Sequence, residues 1–511
     1  MKKILLTTLT AALCLATIGC GHFDSSYEKG VLPNNEAYGA IDDMVPDDKG
    51  GDQFEDFEDN PFVDAAQQPT STFSVDADGA SYGIMRRYVS KGYNVSPSSV
   101  RIEEFLNYFT FNYAAPTDGE NIAINAEVST CPWNAEHRLL RLGIKGKPLA
   151  ANEMPQANFV FLIDVSGSMD SQDKIELLKS GLIELVDQLN PEDRISIITY
   201  SGEVEKLLES TPVRDADKIK KAIKKLHAEG STNGGTAMKM AYQEALTNYS
   251  PEKNNRIIMG TDGDFNVGVT STEALVEMVE SYARKGIYMT CLGFGTGNLN
   301  DAMMEKVSNA GNGTYNYIDC EDEMMKVFVH ERERFVSVAN DTKCQVTFDP
   351  KFVSQYRLIG YENRVMNNED FEDDAKDAGE IGAGQTITAL YEIVPADDKW
   401  KIDSRTNRHV FATFDVRYKT SLDAASRPLS TQVAIEEMYA NNLEPLPLSE
   451  NMSFAAGVAA YGMVLRESPH AGDATLKMAK SLVSNSLGFD PHGYRAELVK
   501  LIEKVKKNSD E

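Results

Sequence analysis

The chain has few basic residues for its size, and this shortage limits the partners it can bind. Lys and Arg total 51 whereas Asp and Glu total 78, so the formal net charge of the 511 residues is −27. Proteins that bind nucleic acid neutralise its phosphates with clustered Lys and Arg side chains. We therefore expect no nucleic-acid partner and a soluble, self-repelling surface.

Signatures of enzymes and nucleotide-binding proteins are also missing. The sequence lacks the GxSxG elbow of hydrolases, the HExxH zinc motif and the GxxxxGK phosphate loop. A glycine-rich run at 293–297 does not have the dinucleotide-binding spacing, and the 7 histidines are scattered. These absences predict that the protein is not an enzyme and that it binds no nucleotide.

Apolar runs long enough to span a bilayer are absent after the N-terminal segment. In that segment, two lysines precede an apolar stretch, 4–18, that ends in Gly19-Cys20 and fits a cleaved export signal. The ending resembles a bacterial lipoprotein box, although Thr17 stands where Leu is usual. The resemblance implies that residues 1–19 are removed and that a lipid on Cys20 anchors the protein to the bacterial cell envelope. The outer membrane is favoured, with the protein facing the periplasm or the cell surface; a plain secretory signal is the alternative.

Cysteine is sparse, with 6 in the whole chain, and removal of the signal and lipidation of Cys20 would leave four. An exported chain can form disulfides, and four cysteines allow three pairings. No CxxC pair suggests a zinc site. The sequence leaves the pairing of these four open: Cys131, Cys291, Cys320 and Cys344.

Changes in composition and periodicity divide the chain into six segments. Residues 20–68 are rich in Gly, Pro, Asn and Asp, so they cannot bury enough apolar surface to fold and are predicted to form a flexible acidic tether. The predicted segments are the signal 1–19, the tether 20–68, an N-terminal flanking domain 69–156 with helices and then a β-hairpin, a central domain 157–338, a β-rich flanking domain 339–445 and C-terminal helices 446–511.

The central segment alternates hydrophobic strands with amphipathic helices, which predicts a doubly wound α/β domain. Such strands form a parallel sheet that helices cover on both faces. Ligands of these folds bind beyond the carboxyl ends of the strands. The predicted strands are 158–165, 194–201, 256–261, 287–292 and 313–318.

Both flanking segments show the two-residue alternation of half-buried strands. It is visible near 122–144, before the central domain, and near 344–436, after it. Because a two-stranded hairpin is marginally stable alone, we predict that both sets of strands join in one antiparallel sandwich. The central domain would then be inserted into that sandwich. Two separate flanking domains are the alternative.

Oxygen-bearing side chains follow two of the predicted central strands. Asp164, Ser166 and Ser168 lie at alternate positions in NFVFLIDVSGSMD, so their oxygens can turn toward one point. Hard oxygen ligands of this kind suit Mg²⁺ or Ca²⁺. Together with Thr232 in GSTNGGT and Asp262 in IIMGTDGD, they resemble the metal-ion-dependent adhesion site of the von Willebrand factor type A domain.

The resemblance is wider than this domain. TSTFSVDADGASY, VRIEEFLNYF, CPWN, YRLIGYEN and TALYEIVPA look like segments of exported bacterial von Willebrand type A proteins, over roughly residues 60–505. It implies that the five residues bind Mg²⁺, or else Mn²⁺ or Ca²⁺, and that an Asp or Glu of a partner completes the metal shell. The expected function is that of an envelope lipoprotein that binds a protein or peptide through the metal. The alternatives are a single-metal hydrolase with Asp264 as its base, and a scaffold with a purely structural metal.

A calcium-binding helix–loop–helix is a competing interpretation of the second motif. Asp262, Asp264, Asn266 and Glu273 occupy positions 1, 3, 5 and 12 of such a loop. The required glycine comes one place late, however, and residues 256–261 have the pattern of a strand rather than a helix. We therefore favour the adhesion-type site.

Overall fold

The computed structural model of the protein describes residues 51–117, 119–230, 234–263, 272–400, 402 and 408–505. The predicted signal, the lipid site Cys20 and the tether up to residue 50 lie outside the described residues. None of the helices in the described ranges has the length and apolar character that crossing a membrane requires. Within these ranges the free cysteines are Cys131, Cys291, Cys320 and Cys344.

In the part of the chain that the structure describes, the central domain contains one six-stranded sheet. Strand Ala157–Asp164 lies between Asn254–Thr261 and Arg194–Tyr200 and runs parallel to both. It is buried at every position, as a hydrophobic strand in the middle of a parallel sheet must be. Across the sheet the strands are Tyr315–Ile318, Ile287–Phe294, Asn254–Thr261, Ala157–Asp164, Arg194–Tyr200 and Val204–Pro212. The five predicted strands are present, and the antiparallel edge strand Val204–Pro212 was not predicted.

Helices cover both faces of this sheet. Alternate residues of the middle strand enter two different cores: Phe161 packs on one face and Leu162 on the other. Leu178 and Leu182 of the first helix are fully buried in the core that contains Phe161. The helices of the central domain are Leu177–Gln188, Ala216–Ile223, Gly235–Thr247, Thr272–Ala283, Asp301–Ala310 and Glu321–Met325. The doubly wound α/β class is thus confirmed.

Two antiparallel sheets combine strands from before and after the central domain. One has the order Val63–Asp64, Val353–Ile359, Thr386–Pro395, Asn134–Gly146 and Ile122–Cys131. The other has the order Val365–Met366, Thr70–Ser74, Ser337–Phe348, Val410–Lys419 and Arg427–Ala434, with the short strand Ile381–Gly382 beside Ser337–Phe348.

Backbone pairing joins the two flanks directly. Leu390 lies opposite Arg141 in one sheet, and Cys344 lies opposite Phe73 in the other. The apolar faces of both sheets contribute to a single hydrophobic core. The central domain is therefore inserted into a β-sandwich, as predicted, and the alternative of two separate flanking domains is wrong.

Helices from both ends of the chain share a further core beside the sandwich. Tyr82, Phe105, Tyr461 and Leu498 are each fully buried in it. The contributing helices are Ala80–Lys91, Ile102–Asn107, Glu450–Leu465, Leu476–Ser484 and Tyr494–Lys504. The C-terminal helical segment expected from the sequence is thus part of the same folded body as the N-terminal flank.

The helix Ala80–Lys91 connects this flank to the inserted domain. A Cβ atom at Gly83 would lie 2.6 Å from the carbonyl oxygen of Tyr317, so this close approach to the edge of the central sheet requires glycine. Arg87 of the same helix places Nη2 2.7 Å from Oδ2 of Asp173, at the start of the first central helix. The flank therefore contacts the inserted domain on the side of its predicted metal site.

The prediction of a flexible tether over 20–68 is wrong for residues 51–68. Val63 pairs with Tyr356 in the sandwich, and Ala65 is fully buried. Gln53 forms a β-bridge with Asn300 of the inserted domain. Main-chain hydrogen bonds fix this segment to strand and loop edges, and its apolar residues Phe54 and Val63 pack against the hydrophobic cores.

Candidate metal centre

Two fully buried carboxylates lie at the carboxyl ends of neighbouring parallel strands. Asp164 is the last residue of Ala157–Asp164, and Asp262 directly follows Asn254–Thr261. Both side chains are 0% exposed. The parallel pairing of the two strands brings these residues to the same edge of the sheet, where ligands of α/β folds bind.

The loop after the first strand turns its oxygens inward. The backbone N–H of Ser166 donates to Oδ1 of Asp164 at 2.8 Å, and the hydroxyls of Ser166 and Ser168 are 2.9 Å apart. The hydroxyl of Thr261 donates to Oδ2 of Asp164 at 3.1 Å. Burial raises the pKa of Asp164 to about 6; the charge of Asp262 adds to this rise, and the hydrogen bonds from Ser166 and Thr261 partly offset it. The site therefore disfavours a second uncompensated negative charge.

A lysine supplies positive charge to these oxygens. Nζ of Lys174 lies 2.9 Å from Oδ2 of Asp262 and 2.9 Å from the carbonyl oxygen of Ser168. The Lys174 side chain is 12% exposed. A Cβ atom at Gly295 would be 2.0 Å from Cε of Lys174, so the glycine leaves the space that the lysine stem fills.

The donor set therefore fits a cation. The Lys174 ammonium bridges a carboxylate oxygen of Asp262 and the backbone carbonyl oxygen of Ser168, so a positive charge is already stabilised at this edge of the sheet. Ser166, Ser168 and Asp164 form the adjoining wall. Thr232, the remaining predicted ligand, lies outside the described residues. Lys174 was not predicted as a site residue, and its only signal in the sequence is its place six residues after the end of the DVSGS loop.

The calcium helix–loop–helix interpretation is wrong. It requires a helix before Asp262, whereas Asn254–Thr261 is a strand with parallel neighbours on both sides. Asp264 and Asn266, two of its proposed ligands, lie outside the described residues. Asp264 was also the base proposed for a single-metal hydrolase.

Comparison with known proteins bears on the family and the fold of the chain. The family model "von Willebrand factor type A domain" matches residues 158–329, "von Willebrand factor" matches 48–141, and "Uncharacterized protein YfbK, C-terminal" matches 333–507. The chain is 38% identical over 477 residues to "Uncharacterized protein YfbK" of Escherichia coli K12, with 89% of this chain and 81% of that protein covered. The chain belongs to the YfbK family of von Willebrand factor type A proteins.

Two further similarities cover less of the chain than the YfbK match does. Human "Inter-alpha-trypsin inhibitor heavy chain H4" is 30% identical over 211 residues, which are 40% of this chain and 22% of that protein. A solved "von Willebrand factor type A from Catenulispora acidiphila" is 15% identical, with a TM-score of 0.45, over 77% of this chain and 92% of that one. The family models and the YfbK match confirm, at the level of the family, the resemblance noted in the sequence.

Lys174→Met tests whether the lysine balances the charge of Asp262. In EDTA, we expect the free energy of unfolding to fall by about 1–3 kcal/mol, because a buried carboxylate loses a charged hydrogen-bond partner. Mg²⁺ should stabilise this variant more than the wild type, because the ammonium no longer competes for Asp262. Urea unfolding in EDTA and in Mg²⁺ measures both effects.

Lys179→Met is the matched control. Lys179 lies in the helix that follows Lys174, and it pairs with the exposed Glu176. Loss of such a surface pair should change the free energy of unfolding by about 0.5 kcal/mol or less in either buffer. Equal stabilisation of Lys174→Met and wild type by Mg²⁺ would contradict the assigned role of Lys174.

Proposed function

We propose that the protein binds a protein or peptide partner at the bacterial cell envelope through a divalent cation, with Mg²⁺ preferred over Mn²⁺ or Ca²⁺. The predicted ligands are Asp164, Ser166, Ser168, Thr232 and Asp262. The proposal rests on one observation: two buried carboxylates and two hydroxyls lie at the ends of neighbouring central strands, and a lysine ammonium binds one of the carboxylates. Hard oxygen donors of this type suit Mg²⁺.

The ligand set leaves room for a group from the partner. Two carboxylates and three hydroxyls supply five donors, whereas Mg²⁺ takes near-octahedral coordination, so at least one position stays open for water or an incoming anion. An Asp or Glu of the partner would provide that anion. The net charge of −27 opposes an acidic partner at long range, but charges more than about 8 Å apart are largely screened at physiological ionic strength. At contact distance the ion dominates.

Binding without turnover is the expected behaviour. A hydrolase with one metal needs a general base beside the ion, and the sequence offers only Asp264 there and carries none of the GxSxG, HExxH or GxxxxGK signatures. Hydrolysis of ester, phosphate or peptide substrates in the presence of Mg²⁺ would overturn the binding proposal in favour of an enzyme. Metal affinity with no partner would favour a structural ion in a scaffold.

Asp164→Ala should abolish the cation site while the fold survives. The variant removes one of two carboxylates, and we expect its Mg²⁺ affinity in titration calorimetry to fall at least a hundredfold. Asp170→Ala is the control, because Asp170 is an exposed carboxylate in the same loop; its affinity should stay within about twofold of wild type. Unchanged Mg²⁺ affinity in Asp164→Ala would rule out the proposed ligand set.

Partner capture should depend on the cation. We expect EDTA and Thr232→Ala each to weaken capture of a protein from envelope extract at least tenfold, because a contact to a partly desolvated ion dominates a small interface. Thr247→Ala, at the exposed end of a central helix, serves as the control and should capture normally. Capture that persists both in EDTA and in Thr232→Ala would place recognition elsewhere on the protein.

Membrane attachment is proposed to come from the lipid on Cys20 and to be independent of the metal. Labelling of cells with a palmitate analogue should mark the wild type and Cys14→Ser, whose change lies within the removed signal. Cys20→Ser should remain unlabelled. Equal labelling of Cys20→Ser and wild type would refute the lipoprotein assignment and leave the plain secretory signal.

A further inference from the structure

Three carboxylates from distant parts of the chain meet where the inserted domain contacts the sandwich. Asp76 and Asp78 follow strand Thr70–Ser74 of the flank, and Glu305 comes from helix Asp301–Ala310 of the inserted domain. One oxygen of each lies within 4.8 Å of the others. The residues are 0%, 2% and 7% exposed, respectively. Three buried acids at this distance repel one another strongly unless positive charge lies among them.

The arginine at this place neutralises only part of that charge. Arg364 places Nε 3.1 Å from Asp76 Oδ2, and it places Nη2 3.3 Å from Asp78 Oδ2 and 3.1 Å from Glu305 Oε1. One guanidinium carries one positive charge, so two of the three negative charges remain. Arg101, also buried at this junction, is held by Glu104 and Asp301. Buried charge left uncompensated costs several kcal/mol, so protons or a cation must bind.

Within the described part of the chain, hydrogen bonding at Glu305 leaves one of its two carboxylate oxygens without a donor. Its Oε1 accepts from Arg364, from Asn309 Nδ2 at 3.0 Å and from Asn363 Nδ2 at 3.2 Å. Its Oε2 is buried and, among the described residues, has no hydrogen-bond partner, although the side chain is 9% exposed. The Oδ1 atom of Asn363 is unpartnered in the same way. Buried polar oxygens are rarely left without a donor or an ion.

Protons are the competing way to neutralise the cluster. Burial raises the pKa of Asp78 well above its usual value, and the neighbouring charges of Glu305 and Asp76 raise it further. A proton on Asp78 would remove one charge but would leave one negative charge in excess of that of Arg364, beside the unpartnered Oε2 of Glu305. A cation would satisfy both requirements together.

A cavity lies against the cluster at Asp78, the one member of the three that lines it. It has a volume of about 660 Å³, and its lining includes Asp78 and Arg364. Four further acids line it: Glu273, Glu277, Asp377 and Glu380. An acidic, concave surface raises the local concentration of cations. An ion could therefore enter the cluster without unfolding of the junction.

We propose that Asp76, Asp78 and Glu305 bind a divalent cation, of which Ca²⁺ is the best fit, and that this ion fastens the inserted domain to the sandwich. The oxygen ligands come from two separate segments and form an irregular set, and Ca²⁺ tolerates irregular coordination better than Mg²⁺ does. The site is distinct from that at Asp164 and does not rest on the proposed partner binding.

The test uses the Asp164→Ala chain, in which the first cation site has been removed. Titration calorimetry with Ca²⁺ should show one ion bound per chain, and the melting temperature should rise by several degrees in millimolar Ca²⁺. Adding Glu305→Gln, which keeps the shape of the side chain, should lower the Ca²⁺ affinity at least tenfold. Glu277→Gln, added instead, removes an exposed acid from the cavity rim. It should change the Ca²⁺ affinity by less than twofold.

Four results would overturn the proposal or its assignment to Ca²⁺. Absence of both Ca²⁺ binding and a Ca²⁺-dependent melting shift in Asp164→Ala would mean that the cluster holds protons, and this result stands even if Glu305→Gln fails to fold. Equal affinity with and without Glu305→Gln would place the ion elsewhere. Loss of binding in Glu277→Gln would place it in the outer cavity. Mg²⁺ titrated in parallel should bind more weakly than Ca²⁺, and tighter Mg²⁺ binding would refute the assignment to Ca²⁺.

Discussion

Backbone pairing between strands on either side of the inserted domain is the constraint on which the other features depend. Thr386–Pro395 pairs along its length with Asn134–Gly146, and Ser337–Phe348 lies between Thr70–Ser74 and Val410–Lys419. Main-chain groups in a sandwich core must find partners because water cannot reach them. In this protein those partners come from opposite sides of a complete α/β domain. The sandwich therefore exists only when both flanks are present, and it holds both ends of the inserted domain at one edge.

The same arrangement brings the flank close to the candidate metal centre. Arg87, on a flanking helix, pairs with Asp173, which directly precedes Lys174 in the turn beside the metal-site loop. Burial raises the pKa of Asp173, but hydrogen bonds from Ser171 and Arg87 outweigh it and lower the pKa to about 2, so the pair stays charged. A shift of this turn on cation binding would move Asp173 and so disturb its ion pair with Arg87. The flank is thus in direct contact with the turn beside the metal site, although the two residues of this ion pair are 86 positions apart in the sequence.

The parts of the structure that could be predicted are those in which local pattern and burial agree. The central strands are buried on both faces and are hydrophobic throughout. This pattern also located Asp164 at the end of a strand. Strand Val353–Ile359 escaped prediction because four successive residues at its end are buried, which breaks the two-residue alternation. Strand Val204–Pro212 lies at an edge with mixed exposure and has no clear period. The carboxylate cluster at the junction could not be foreseen, because contacts such as that between Asp78 and Arg364 join residues 286 positions apart.

The insertion also determines the order in which the chain can fold as it is made. Thr72 and Gln345, hydrogen-bonded in neighbouring strands, are 273 residues apart. The first strands of the sandwich are therefore synthesised long before their partners, whereas the central domain is encoded by one continuous segment and can close first. Until their partner strands have been synthesised, the early strands present unpaired edges, and such edges promote aggregation. Contacts of such high sequence separation also slow the final closure. A chain interrupted soon after the central domain would keep a folded core but leave the early strands permanently without partners.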